Sequence, residues 1–321
     1  MKAILQNEYG EVNVLTYADV EIPSIEKNEL LIKAAYTSVN YADIKKRIGK
    51  KGKGNFPLML GLDVSGTVEK APENSTFSPG DRVVAFPKNG SYAEYVVANE
   101  NLVFKIPDAL SMEQAAAMPT VSFLSYILIF EIGQVKPTDT IIVHSAAGGV
   151  GSILIQLAKI ANVSKIIGTV GSLEKESYVL GLGADFVYTY DTFSKEVLKL
   201  TNNIGANVIF DSCAGNITSK SLECLAYYGN LVQFGNSTGK TGNMSTSDVH
   251  SSCRTISGFS LGTTRKFHPE RLRAIADNVI ELFSSGKVSL PVAQVFDLKD
   301  ARLAHALIES RNYKGKILIK M

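Results

Sequence analysis

From about residue 111 onward the chain alternates short β-branched runs with helical ones, and this rhythm limits its fold more than any other feature. Ser111 followed by Glu113 and Gln114 reads as a helix N-cap, with Ala115, Ala116 and Ala117 continuing the helix. Strand-like runs at 140–144, 165–170, 186–190, 207–211, 231–235 and 256–261 then alternate with helix-like runs at 150–161, 175–182, 197–201 and 217–226. A strand that returns parallel to its neighbour needs a crossover, usually a helix. Repeated units of this kind build a parallel, doubly wound α/β sheet. A long helix at 269–285 follows, and strand-like runs at 294–297 and 316–320 flank a helix at 299–310.

The first 110 residues have a different texture. Apolar or β-branched runs at 30–35, 64–68, 82–86 and 92–97 are punctuated by Pro57, Gly61, Gly66, Pro79-Gly80 and Asn89-Gly90. That spacing predicts a compact, mostly β unit. A length of 321 residues agrees with two domains.

Between Ile141-Ile142-Val143-His144 and the helix beginning near Val150 lies the turn Ser145-Ala146-Ala147-Gly148-Gly149-Val150-Gly151. Set against G-x-G-x-x-G, Ala146 replaces the first glycine, while Gly148 and Gly151 match. Gly148 lets the backbone approach a pyrophosphate, and Gly151 lets the helix pack closely on the strand. The helix N-terminus adds N–H donors and the positive end of a dipole. A turn so placed, inside a βαβ series, predicts a nicotinamide dinucleotide site. NAD sites place a carboxylate about 20 residues later, on the ribose hydroxyls. Here the run 166–170 ends in Gly171-Ser172 with no acid at its tip, and Lys175 follows. A hydroxyl and an ammonium accept a 2′-phosphate that a carboxylate would repel. NADPH is therefore the expected cofactor, with Glu174 as the residue that favours a bare ribose.

The charge balance, 33 basic against 31 acidic residues, gives no global attraction to nucleic acid or membrane. Three cysteines without a CxxC pair fit a reducing compartment. The apolar run 121–132 carries Ser122, Ser125 and Glu131, is too short to cross a bilayer, and predicts a buried helix. With no signal-peptide core at the N-terminus, a cytoplasmic protein is expected. One local anomaly is the stretch 45–53, with six cations and no acid. It reads as a solvated, mobile loop, or as a patch that attracts NADPH or an anionic substrate.

Taken together, Val39-Asn40-Tyr41-Ala42-Asp43, Pro79-Gly80-Asp81-Arg82-Val83 and Gly90-Ser91-Tyr92-Ala93-Glu94-Tyr95 form a recognisable set. So do the turn at 146–151, Gly168-Thr169-Val170-Gly171-Ser172, Phe234-Gly235-Asn236-Ser237 and Glu309-Ser310-Arg311. Over essentially its full length the chain resembles the zinc-independent quinone oxidoreductases of the medium-chain dehydrogenase/reductase superfamily, including the zeta-crystallin type. The resemblance implies a GroES-like catalytic domain at 1–119, completed by 286–321. It implies a Rossmann domain at 120–285, with the active site in the cleft between the two. It also implies an NADPH-dependent reductase of quinones or related conjugated carbonyls, usually a homodimer. By matching position, Ala147, Gly148, Gly149 and Val150 would hold the pyrophosphate, and Gly171, Ser172, Lys175 and Tyr190 the 2′-phosphate. Gly235, Asn236, Ser237, Phe259 and Leu261 would lie along the nicotinamide half, and Asn40 would face the substrate.

Zinc-dependent relatives need a tetrahedral thiolate and imidazole set. Their first cysteine corresponds to Asn40 and their histidine to Leu62, and no cysteine here precedes Cys213. His144, His250, His268 and His305 show no ligand spacing and read as surface or packing residues, so no metal site is expected. Conjugate reduction suits such a site, because hydride goes to an electron-poor carbon and hydrogen bonds stabilise the oxygen. Asn40 could donate such a bond, with a proton from water, Tyr41 or Tyr126. Two departures put the acceptor in question: Lys45 stands where many of these reductases carry a tyrosine, and Leu124 where a threonine is frequent. A 2-alkenal or enone reductase, and a low-turnover NADPH-binding sensor or moonlighting protein, therefore stay open as alternatives.

Overall fold

The structure, a computed structural model, describes residues 1–52 and 54–321. The chain forms two compact units, Met1–Thr120 with Thr264–Met321, and Val121–Thr263.

In the second unit, six parallel strands form one sheet. Across the sheet they run Phe186–Thr189, Lys165–Val170, Thr140–Val143, Ala206–Asp211, Leu225–Gln233 and Thr255–Gly258. Counted along the chain, this is the order 3-2-1-4-5-6 of a Rossmann sheet, which reverses beside its first strand. Thr140–Val143 is buried throughout, as a strand covered on both faces must be. The crossovers are the helices Gly149–Ile160, Glu176–Gly181, Phe193–Leu200 and Asn216–Glu223. The helix expected over 217–226 ends at Glu223, and the next strand has already begun at Leu225. The run 121–132 is helical, with Phe123, Ile127, Leu128 and Ile129 fully buried. Among the described residues no helix is long and apolar enough to cross a membrane.

The first unit is mostly β. A three-stranded sheet orders Thr16–Asp19, Lys2–Gln6 and Leu58–Met59. A seven-stranded sheet is centred on the long strand Glu29–Val39, which pairs with Val64–Lys70, Tyr95–Asn99 and the C-terminal strand Lys316–Lys320. The C-terminal pairing is antiparallel with Ile317 opposite Val39, so it sets Lys316 beside Asn40. The strand expected from Tyr92 begins at Tyr95, because Tyr92 is drawn into a buried polar network.

One expected boundary moves. The expectation put 120–285 in the dinucleotide-binding domain, whereas residues from Thr264 onward pack with the first unit. Arg273, on the helix Pro269–Ser284, explains this. Its guanidinium donates to the carbonyls of Glu100 and Val103, both at 2.8 Å, and lies 4.9 Å over the Phe104 ring.

Candidate functional site

In the second unit the chain leaves Thr140–Val143 through His144 and turns at Ser145, which has a left-handed φ of 55°. The Ala146 N–H donates to the Thr169 carbonyl at 3.0 Å, and the Gly148 N–H to the Ser145 carbonyl at 2.9 Å. The helix Gly149–Ile160 then starts without a side-chain cap, so its first N–H groups are available to an anion. A Cβ on Gly151 would lie 2.4 Å from the Ser145 carbonyl oxygen and 2.8 Å from the Ala146 Cα. On Gly148 it would meet only that carbonyl oxygen, at 3.2 Å. Gly151 thus serves the packing of helix on turn, and Gly148 keeps the ligand side bare. Ala146 fits in place of the first glycine because its neighbour on the next strand is Gly168. A Cβ there would come 2.9 Å from the Ala146 Cβ. The turn fits a pyrophosphate.

Beside it, at the tip of Lys165–Val170, Gly171 and Ser172 are exposed and Lys175 is half-buried one short turn later. Ser172 Oγ accepts the Glu174 N–H at 3.3 Å, which leaves its own hydroxyl proton to donate. Tyr190 turns its hydroxyl toward the turn. Its hydroxyl accepts the Ser145 N–H at 3.1 Å and lies 3.6 Å from Cys213 Sγ, and burial raises its pKa well above the usual phenol range. Only the ring edge approaches Gly171, 3.9 Å from where a Cβ would stand.

The loops after the fourth, fifth and sixth strands meet the same edge of the sheet. The Ser237 N–H donates to the Ser212 carbonyl at 3.0 Å, and the Phe259 N–H to the Gln233 carbonyl at 3.0 Å. Gly235 packs so closely that a Cβ would lie 2.8 Å from the Ser212 carbonyl oxygen. Asn236 is exposed and Leu261 buried. Below the turn, His144 bridges Thr169 Oγ1 at 2.7 Å and Ser221 Oγ at 2.8 Å. Burial pulls its pKa down to about 4, so it is a neutral tie, the packing role expected of it. Tyr126 packs against Phe130, with ring centroids 4.7 Å apart and the planes tilted by 52°, and its neighbour Ser125 donates to the Val121 carbonyl at 2.7 Å.

The first unit holds a separate polar centre around Asn40. The Asn40 Oδ1 accepts from Lys316 Nζ at 2.8 Å. Its Nδ2 faces Ser38 Oγ at 3.1 Å, with the Ser38 carbonyl and Asp63 Oδ2 both at 3.3 Å. Both amide hydrogens are spent internally, so the expected bond from Asn40 to a substrate oxygen has no donor left. Lys316 is fully buried, and that burial holds its ammonium below the usual lysine range against the pull of Asp63 and Asp43. Asp43 accepts the N–H groups of Asn40 at 2.8 Å and Gly61 at 3.2 Å. Burial, assisted by Asp63, still pushes its pKa up to about 6. Tyr41, at the start of the helix Tyr41–Arg47, is exposed.

Sequence reasoning missed the far side of this centre. Tyr92 Oη lies 3.4 Å from Asp43 Oδ2 and 3.0 Å from His305 Nε2. His305 Nδ1 faces Arg47 Nη1 at 3.2 Å, so Nδ1 accepts and Nε2–H donates to Tyr92. Burial and the adjacent guanidinium lower the His305 pKa to about 3. Arg47 is wholly buried and grips Glu309 with two bonds, at 2.8 and 3.1 Å. The basic stretch therefore begins in a helix rather than in a loop, and only from Ile48 does it leave regular structure. Lys45, Lys46 and Arg47 belong to a helix, and the Lys50 N–H caps it on the Lys45 carbonyl at 2.8 Å. Lys53 lies outside the described residues. Among those described, no group of three or more His, Cys, Asp or Glu side chains could hold a metal.

A GroES-like β unit joined to a Rossmann unit with a bare dinucleotide turn defines a dehydrogenase-type oxidoreductase. Residues 26–108 match the alcohol dehydrogenase GroES-like domain family, and residues 149–279 the zinc-binding dehydrogenase family. The chain is 31% identical to a probable quinone oxidoreductase of Schizosaccharomyces pombe, over 97% of this chain and 94% of that one. It superposes on the quinone oxidoreductase of Escherichia coli, solved with NADPH, with a TM-score of 0.94 at 29% identity and full coverage of both chains. A mycobacterial protein solved with NADPH gives 0.93 at 30% identity, again over both full chains. The chain belongs to the quinone oxidoreductases of the medium-chain dehydrogenase/reductase superfamily.

Proposed function

We propose that the chain reduces quinones with NADPH by metal-free hydride transfer. The carrying observation is the phosphate-accepting end of the turn, where Gly171, Ser172 and Lys175 are accessible and no carboxylate stands at the strand tip. Bound NADPH supplies the hydride. Ala147, Gly148, Gly149 and Val150 hold the pyrophosphate at the helix N-terminus. Ser172 and Lys175 hold the 2′-phosphate, with the Tyr190 ring edge beside Gly171. Gly235, Asn236, Ser237, Phe259 and Leu261 border the nicotinamide half. Asn40, fixed at both ends of its amide, shapes the acceptor site rather than donating to the acceptor. The quinone gains the hydride at one centre, and an oxygen gains one proton, from water, Tyr41 or Tyr126. A homodimer in the cytoplasm belongs to the same reading.

The test is a turnover screen of the full chain with NADPH and NADH against quinones, 2-alkenals and acrylyl thioesters. Rapid NADPH oxidation by a simple quinone, with NADH much poorer, is the expected result. Tight NADPH binding with no turnover on any acceptor would overturn it in favour of a sensor.

A further inference from the structure

The cations that follow Asp43 are not used in the cofactor site proposed above, yet the first unit gathers them. Lys45 and Lys46 stand on the last turn of Tyr41–Arg47, and Lys51 follows the left-handed Gly49. Arg265, on the helix Leu261–Phe267, comes to the same helix through Leu62, whose neighbour Gly61 donates its N–H to Asp43 at 3.2 Å. One of its nitrogens donates to the Leu62 carbonyl at 2.9 Å, and the guanidinium lies 5.0 Å over the Phe86 ring. Among the described residues that is its one hydrogen bond, so most of its donors are unspent. None of Lys46, Lys51 and Arg265 has a carboxylate within ion-pair distance among the described residues.

The arrangement is built. Tyr9 pins the turn, its hydroxyl accepting the Gly54 N–H at 2.6 Å and donating to the Gly52 carbonyl at 3.4 Å. Its ring packs under Gly49 and meets Phe56 edge-on at 4.9 Å. Lys51 is exposed, yet desolvation lowers its pKa, and Arg265, Lys46 and Lys45 repel it further. Lys46 and Arg265 are lowered mainly by burial as well, while Asp43 pulls both the other way. Like charges held near one another without a carboxylate in ion-pair distance are a costly arrangement that an anion relieves.

We propose that Lys46, Lys51 and Arg265, edged by Lys45, form an anion subsite for a carboxylate, sulfonate or phosphate carried by the electron acceptor. The chain then selects anionic conjugated carbonyls over neutral ones of the same ring system. This rests on the quinone-reductase reading above. The test compares 1,4-naphthoquinone with its 2-sulfonate in steady-state assays with NADPH, for the full chain and for Lys51→Gln and Lys46→Gln. The expected result is a lower KM for the sulfonate in the wild type, a preference that each substitution cuts by about tenfold and high salt weakens. An unchanged preference overturns the subsite, and so does a tenfold rise in the KM for NADPH instead of the sulfonate. Calorimetric titration with naphthalene-2-sulfonate, which cannot be reduced, tests the subsite even if no quinone turns over. Binding that Lys51→Gln weakens supports it, and no binding by the wild type refutes it.

Discussion

The two glycines of the dinucleotide turn separate folding from ligand approach, and alanine at each makes the separation measurable. In Gly151→Ala the new methyl carbon meets two backbone atoms, at 2.4 and 2.8 Å, and neither can yield without moving the helix off the turn. Overpacking of this kind costs about 1–3 kcal/mol. For a unit of this size that lowers the unfolding midpoint by roughly 2–4 °C per kcal/mol. In Gly148→Ala the methyl meets a single carbonyl oxygen at 3.2 Å, and the backbone φ of −80° suits any residue. Its stability should stay within about 0.5 kcal/mol of the wild type. The methyl instead occupies the side where the pyrophosphate approaches, so NADPH affinity should fall on the order of tenfold, which is about 1.4 kcal/mol. Thermal unfolding of the ligand-free protein and calorimetric titration with NADPH read the two quantities independently. A Gly148→Ala protein that binds NADPH normally would refute the role given to that turn, and a Gly151→Ala protein of unchanged stability would refute the packing argument.

Gly168→Ala should destabilise by about 1–3 kcal/mol, and Ala146→Gly should restore only part of it, because Val179 Cγ1 would still stand 2.6 Å from the new carbon; denaturant unfolding of the double mutant checks this, and full additivity would contradict it. Lys175→Gln should raise the KM for NADPH by about tenfold and leave that for NADH nearly unchanged; equal shifts for both cofactors would remove Lys175 from the 2′-phosphate. Stability should fall on acidification below about pH 6.5, because His144 and His305, held down to about 4 and 3, refuse protons that the unfolded chain accepts, each costing about 1.4 kcal/mol per pH unit. Asp43, raised to about 6 from an ordinary 3.8, takes up its proton in the folded state first and so offsets the slope of one of them between those two pH values. His144→Gln should flatten the acid limb in urea unfolding, and an unaltered slope would count against a buried neutral His144.

The alternation of strand and helix was legible because crossover helices and doubly buried strands carry their own periodicities. The turn was legible too, even without its first glycine. What allowed Ala146 was not, since the compensating Gly168 lies on a different strand and nothing local pairs the two positions. The same limit explains the domain boundary, because Arg273 owes its place to Phe104 and Glu100, far away in the chain. It also explains the basic stretch. Charge density alone reads as solvated loop, but Arg47 finds Glu309 and His305 across the fold, and a buried guanidinium with a bidentate partner anchors what composition would leave mobile. The hydroxyl direction of Tyr190 is set by Ser145 and Cys213, which sequence spacing does not reveal.

Burying Asp43, Asp63 and Lys316 together has an energetic meaning. Buried ionic groups rarely beat well-packed apolar ones for stability, so such a cluster is better understood through what it holds in place. Here Lys316 fixes the oxygen of the Asn40 amide while Asp63 and Ser38 fix its nitrogen, leaving the side chain no freedom to flip. A group so committed is a rigid spacer, and stabilising charge on an acceptor must fall to other residues. The basic side chains in the last turn of the same helix answer the helix dipole, and on the proposal above they also meet an anionic group on the acceptor. Asn40 and Asp43 open that helix and Lys45 and Lys46 close it, so one short element joins a fixed neutral amide to a cluster of positive charge. On that proposal, shape selection and charge selection are carried by different residues, and a substitution among the lysines alters which acceptor is preferred without loosening the amide.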